Sequence, residues 1–254
     1  MYKRKESTAG RLSVENPRYL FYKLKQLLDS NDVADRQKDI AKQHYTNAIL
    51  SLGDGEWIYR LALEIDGVDI EKLQQGVING NSAIDMFYFA KNIKGANVLR
   101  LAGAVASMQD ANVSYLFMRN IKGFENNISL ENVILNNGDV ITLFKYAKFI
   151  KKEANDEIVN SFIIALNNEL AENNRIINDA HKSYKMAYLD ALERREDLAK
   201  YAIKFVQEVP KASDLVNVNP ILNKFDINVP DIINKYQLNP ESVIYTAKEQ
   251  GKGE

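Results

Sequence analysis

The sequence predicts an all-α fold, an α-solenoid of helix-turn-helix hairpins with helical caps, and three observations carry that prediction. First, Gly53 to Ile78 (GDGEWIYRLALEIDGVDIEKLQQGVI) aligns without a gap on Asn81 to Ala106 (NSAIDMFYFAKNIKGANVLRLAGAVA) at an offset of about 28 residues. Second, Ile58, Leu61, Ala62 and Ile65 recur at the i, i+3, i+4, i+7 spacing of one helix face, where a strand would alternate. Third, Gly67, Gly95 and Gly123 stand just past these helices, where the chain leaves a helix through a left-handed residue that costs least in glycine.

The repeat has four copies. Tyr59 falls on Phe87, Leu61 on Phe89, Ala62 on Ala90, Ile65 on Ile93, Leu73 on Leu101 and Val77 on Val105. The third copy continues the register through Tyr115, Phe117, Met118 and Ile121, then gains one residue before Leu130 and Ile134. The fourth reads Phe144, Tyr146, Ala147 and Ile150, then Val159 and Ile163, with Lys152 in place of the turn glycine. Asp69 and Asn97 precede the second helix of their units and supply a side-chain oxygen for its unpaired amides. One hairpin cannot bury its own apolar stripe, so neighbouring hairpins stack, and the expected array is right-handed.

Flanking elements follow from local signals. Asn16 to Leu28 and Ala34 to Leu52 read as two helices, Pro17 being suited to a first turn, so residues 1–52 form an arm and helical cap. The four hairpins occupy residues 53–165, and residues 166–209 read as degenerate helical repeats in which Tyr201, Ala202 and Phe205 resume the pattern. In residues 210–254 a proline recurs every tenth position from Pro210 to Pro240, which forbids long helices. Asn239 and Pro240 mark the start of a last helix over Glu241 to Glu249, and this tail is either a closing cap or an arm that docks on a second copy of the chain.

Composition narrows the function classes. An apolar share of 46% and a charged share of 26% belong to a folded chain, and a net charge of −1 leaves no global field to recruit nucleic acid or membrane, so any electrostatic partner meets a local patch. There is no cysteine, which excludes disulfides, thiolate catalysis and Cys-ligated metals. The amino terminus MYKRKESTAGR is charged with no apolar run behind it, and nowhere do about 18 apolar residues run uninterrupted; the expectation is a cytoplasmic protein.

The sharpest functional signal lies down the alignment. The residues after the core alanine or methionine are Lys91, Arg119 and Lys148 in copies two to four, followed three positions later by Lys94, Lys122 and Lys151. Stacked helices lie about 8–10 Å apart, so these six would form a basic ladder, with Lys145 and Lys152 beside it. One reading is local, since cations near a helix C-terminus complement its dipole. The other is that the ladder meets a nucleic-acid backbone or an acidic protein face. The aromatic column Tyr59, Phe87, Tyr115 and Phe144 reads as core filling, with a base-stacking platform as its alternative. Trp57, without an aromatic equivalent in other copies, is either a contact anchor or packs on the amino-terminal cap. Arg36 to His44 (RQKDIAKQH) has the pattern of the first helix of a helix-turn-helix reader, although no small-residue turn follows.

Catalytic residues are scarce. His44 and His181 lie far apart, neither belongs to a metal-binding spacing, and no glycine loop is built to cradle phosphate. Asp54 and Glu56 form a carboxylate pair at a position where later copies also carry a polar helix-starting residue, as an N-cap requires. The expectation is a protein without catalytic, cofactor or metal site. The unit's wording, GVDI or GANV followed by a leucine-centred helix, resembles degenerate two-helix repeats of uncharacterised bacterial and bacteriophage proteins over Gly53 to Ile164. That resemblance implies a helical array and no particular activity. The expected function is therefore a macromolecule-binding scaffold, first for a protein partner and with self-association through the tail, or in competition a nucleic-acid binder using the ladder and the amino-terminal arm.

Overall fold

In the computed structural model, which describes residues 16–180 and 185–215, every regular element is helical. Two compact units divide at Met108 and Gln109. The expected tail helix over Glu241 to Glu249, the amino-terminal arm and His181 lie outside the described residues.

The first unit contains α1 (Pro17–Asp29), α2 (Asp35–Leu52), α3 (Gly55–Glu64), α4 (Ile70–Asn79), α5 (Ala83–Asn92) and α6 (Val98–Ser107). They pack as consecutive hairpins, α1 on α2, α3 on α4 and α5 on α6. Stacking follows because α3 also packs against α1 and α5, which lets each hairpin bury its stripe on the next. Leu61, Leu73, Phe89, Leu101 and Val105 are fully buried, as the repeat register requires. Arg36 to His44, the segment with a helix-turn-helix pattern, is the first half of the continuous eighteen-residue α2.

The second unit begins with α7 (Ala111–Asn120), α8 (Ile128–Asn137) and α9 (Val140–Tyr146), the last running into a π-turn over Ala147–Lys151. Then come α10 (Asp156–Ala180), α11 (Lys185–Glu208) and the short α12 (Ala212–Leu215). Within it α7 packs on α8 and α9, and α10 on α8, α9 and α11.

Capping sets the helix boundaries. Asp54, Asp69, Ser82, Asn97, Asp110, Asn127, Asp139 and Asn155 each accept the amide three residues onward, from Trp57, Lys72, Asp85, Arg100, Val113, Leu130, Thr142 and Ile158 respectively. Every helix from α3 to α10 thus starts on a side-chain acceptor, which satisfies one of its orphan donors. Gly67, Gly95 and Gly123 turn through positive φ of 70°, 87° and 87°, as expected, and Lys152 does the same at 60°. A second positive-φ column, Gly53, Asn81 and Gln109, ends α2, α4 and α6. The period therefore reaches back into α2, one helix earlier than the alignment of Gly53 to Ile78 suggests.

Two expectations are corrected. The fourth hairpin does not close near residue 165, and within 166–209 the described residues do not divide into repeats: they form the end of the long helix α10 and the long helix α11. The physical reason is that neither helix contains a glycine or proline, so nothing ends the helix where earlier copies turn. The two are held side by side by Phe162 stacked on Phe205 at 3.9 Å and by an ion pair from Arg194 to Glu169.

Candidate functional site

The helix ends carrying the predicted ladder lie in two units: Lys91 and Lys94 in the first, Arg119, Lys122, Lys145, Lys148 and Lys151 in the second. In the first unit Lys91 and Lys94 are exposed, and the Lys91 ammonium lies 5.6 Å from the centre of the Phe87 ring. Hydrophobic support from the ring beneath and the helix C-terminus account for its position.

The second unit brings more together. The π-turn carries Lys148 and Phe149, and Phe149 stays 43% exposed. The Arg119 guanidinium, from the last turn of α7, lies 4.3 Å from the centre of that ring, and the Lys148 ammonium lies 5.2 Å from it. Two cations from separate helices thus share one exposed aromatic ring. Lys148 also lies 5.6 Å from Phe144, whose ring meets Tyr201 of α11 edge-on at 5.6 Å, and Lys204 lies 5.6 Å from Tyr201. The result is a ridge of alternating cationic and aromatic side chains, Arg119, Phe149, Lys148, Tyr201 and Lys204, with Lys122 exposed near its start and Lys145 half-buried.

Internal carboxylates modify the ladder. Lys148 pairs with Glu208 at 2.5 Å, and Lys151 pairs with Glu131 at 2.8 Å. Glu131 also accepts the hydroxyl of the fully buried Tyr146 at 2.5 Å, so Lys151 is held in a network with both. Burial, with the Glu131 bond behind it, pushes the Tyr146 phenol well above its ordinary range. Beside Arg119, burial likewise raises the Tyr115 phenol, while the guanidinium's charge works in the opposite direction.

The other single residues resolve simply. The rings of Phe87, Tyr115 and Phe144 are buried, so these three are core, while Tyr59 is half-buried and its hydroxyl accepts from Asn92 at 2.8 Å. Trp57 packs on Phe21 at 5.5 Å and Tyr22 at 6.1 Å of α1, and Arg60 covers it at 4.8 Å: it is a packing residue of the cap, not an exposed anchor. Asp54 is the N-cap of α3, and Glu56 pairs with Arg60 one turn on. His44 is exposed and meets only the edge of Tyr45 among ring contacts. Among the described residues no three metal-ligating side chains converge, and no helix is long and apolar enough to cross a membrane.

Phe149 escapes a reading confined to charge. The position matching it holds Asn92 and Asn120 in the preceding copies, so an aromatic on an otherwise polar column was the available signal. Glu208 and Glu131 carry no such signal, because nothing periodic relates them to the lysines they meet. Comparison with protein-family models, with curated proteins and with solved structures gives no match.

Proposed function

We propose that this protein is a non-catalytic binding scaffold of helical hairpins that recognises an acidic face of a protein partner through the ridge centred on Phe149. The observation that carries the reading is the exposed Phe149 ring held between Arg119 and Lys148. Aromatic and arginine side chains are enriched at protein interfaces, the rings because they bury large areas at low conformational cost and arginine because its planar guanidinium pairs with carboxylates and stacks on rings.

A nucleic-acid backbone is the weaker fit. It would call for a row of cations facing one way, whereas Lys148 and Lys151 already pair with Glu208 and Glu131. Base stacking would require a clear aromatic face, and Arg119 covers that of Phe149. The same reading sets the protein in the cytoplasm, and self-association through the tail beyond Leu215 is a second mode open to it.

Affinity capture with the full-length protein tests this. The wild type should retain a defined protein that Phe149→Ala and Arg119→Glu both lose while keeping their helical circular dichroism. Capture of nucleic acid instead, with retention on a polyanion column falling steeply as salt rises, would overturn the reading.

A further inference from the structure

The repeat itself exposes a slot that one copy fills and the preceding one leaves open. In α4 the side chain of Gln74, only 2% exposed, closes on the backbone at the start of α6. Its Oε1 accepts the Asn97 amide at 2.7 Å, and its Nε2 donates to the Asn97 carbonyl at 3.4 Å. One repeat earlier the matching residues are Thr46 in α2 and Asp69 at the start of α4. Threonine is too short to make that bridge. The Thr46 hydroxyl is buried without a hydrogen-bond partner, and the Asp69 amide has no acceptor among the described residues. A buried hydroxyl without a partner costs about 1–3 kcal/mol and calls for an explanation, whereas Asp69 is an exposed residue.

Where the carboxamide is missing there is a cavity of about 330 Å³, whose lining includes Lys42, Lys72, Thr46 and Gly67 together with the acidic Asp39 and Asp69. The Lys42 ammonium reaches to 3.4 Å from where a Cβ on Gly67 would stand. Gly67 at φ 70° both permits the turn and leaves that approach open. Lys72 enters from the other wall, its ammonium donating to Asn47 Oδ1 at 2.7 Å, and neither lysine is ion-paired among the described residues. The Asp69 carboxylate is committed to the Lys72 amide as the cap of α4.

We propose that this cavity binds a small carboxylic acid, whose carboxylate takes the place that the Gln74 carboxamide occupies one copy later. A carboxylate supplies the acceptor that the Asp69 amide lacks. The two unpaired ammonium groups select it over a neutral amide, because a charge-assisted hydrogen bond is roughly twice as strong as a neutral one. This site lies in the first unit and does not rest on the Phe149 ridge.

The test is a titration of the full-length, 15N-labelled protein with succinate and L-glutamate, with acetamide, inorganic phosphate and sodium chloride as controls. Saturable shifts of the Asp69 and Gly67 amides are expected with either carboxylate, at a Kd on the order of 1 mM. Lys42→Ala and Lys72→Ala should each raise that Kd about tenfold. Thr46→Gln, which restores the bridging side chain, should abolish binding and raise the melting temperature. If Thr46→Gln fails to fold, the two lysine variants decide alone. An absence of saturation with both carboxylates, an equal response to acetamide or phosphate, or unchanged Kd in the lysine variants would overturn the proposal.

Discussion

Lys152 stands one copy after Gly123, and the two backbones turn through the same left-handed region, at φ 60° and 87°. The repeat geometry imposes the turn even where the sequence no longer supplies glycine. A side chain at positive φ costs about 1–2 kcal/mol, partly offset by the greater unfolded-state freedom of glycine. Lys152→Gly should therefore stabilise the protein by about 0.5–1 kcal/mol, read as a rise of roughly 2 °C in the thermal midpoint by calorimetry. A lower midpoint would show that Lys152 makes a stabilising contact the backbone argument omits.

Tyr146 and Lys151 converge on Glu131 from the end of α9 and the π-turn. Removing the phenol leaves that carboxylate with the ammonium alone, in a setting where a hydrogen bond to a charged group contributes about 1.5–3 kcal/mol. Tyr146→Phe should lower stability by about that amount in urea unfolding with an unchanged m-value.

Gln74 satisfies both polar groups of the Asn97 backbone from a buried position. Gln74→Leu keeps most of the volume but strands the amide, and the expected loss is about 1–3 kcal/mol. Hydrogen exchange at the Asn97 amide should accelerate in the same variant, which separates this cause from a general loosening of the first unit.

Asp85 has its carboxyl raised above the ordinary value, first by burial and then by the charges of Asp54 and Glu56, with Ser82 acting against the shift. A carboxyl raised on folding stabilises the protein while protonated, so its contribution is fully present below the unfolded-state pKa and is lost as pH rises through the raised folded value. Asp85→Asn should accordingly raise the thermal midpoint at pH 7, and the gain should vanish near pH 3. A gain that persists undiminished at pH 3 would rule out the charge as its source.

Much of this fold is legible in the sequence because its determinants are local. The glycine turns and the caps at Asp69 and Asn97 each act over four residues or fewer and recur at the 28-residue offset, and the structure places all of them as read. Failures occur where local signals run out. Residues 166–209 read as degenerate helical repeats, yet without glycine or proline α10 and α11 each run on as one long helix. The candidate site was legible as a set of cations but not as a surface.

By itself, then, the sequence determined the all-α class, the hairpin unit, its turns and the identity of the repeating basic residues, since periodicity and capping are properties of neighbouring positions. Tertiary structure alone decided which of those cations face outward and which are occupied. Lys148 meets Glu208 and Lys151 meets Glu131 across long stretches of chain, and Arg119 and Lys148 share Phe149 only because α7 and the π-turn pack together. Ion pairs and ring contacts form within a few ångströms in space, and no local pattern records which distant side chain arrives there.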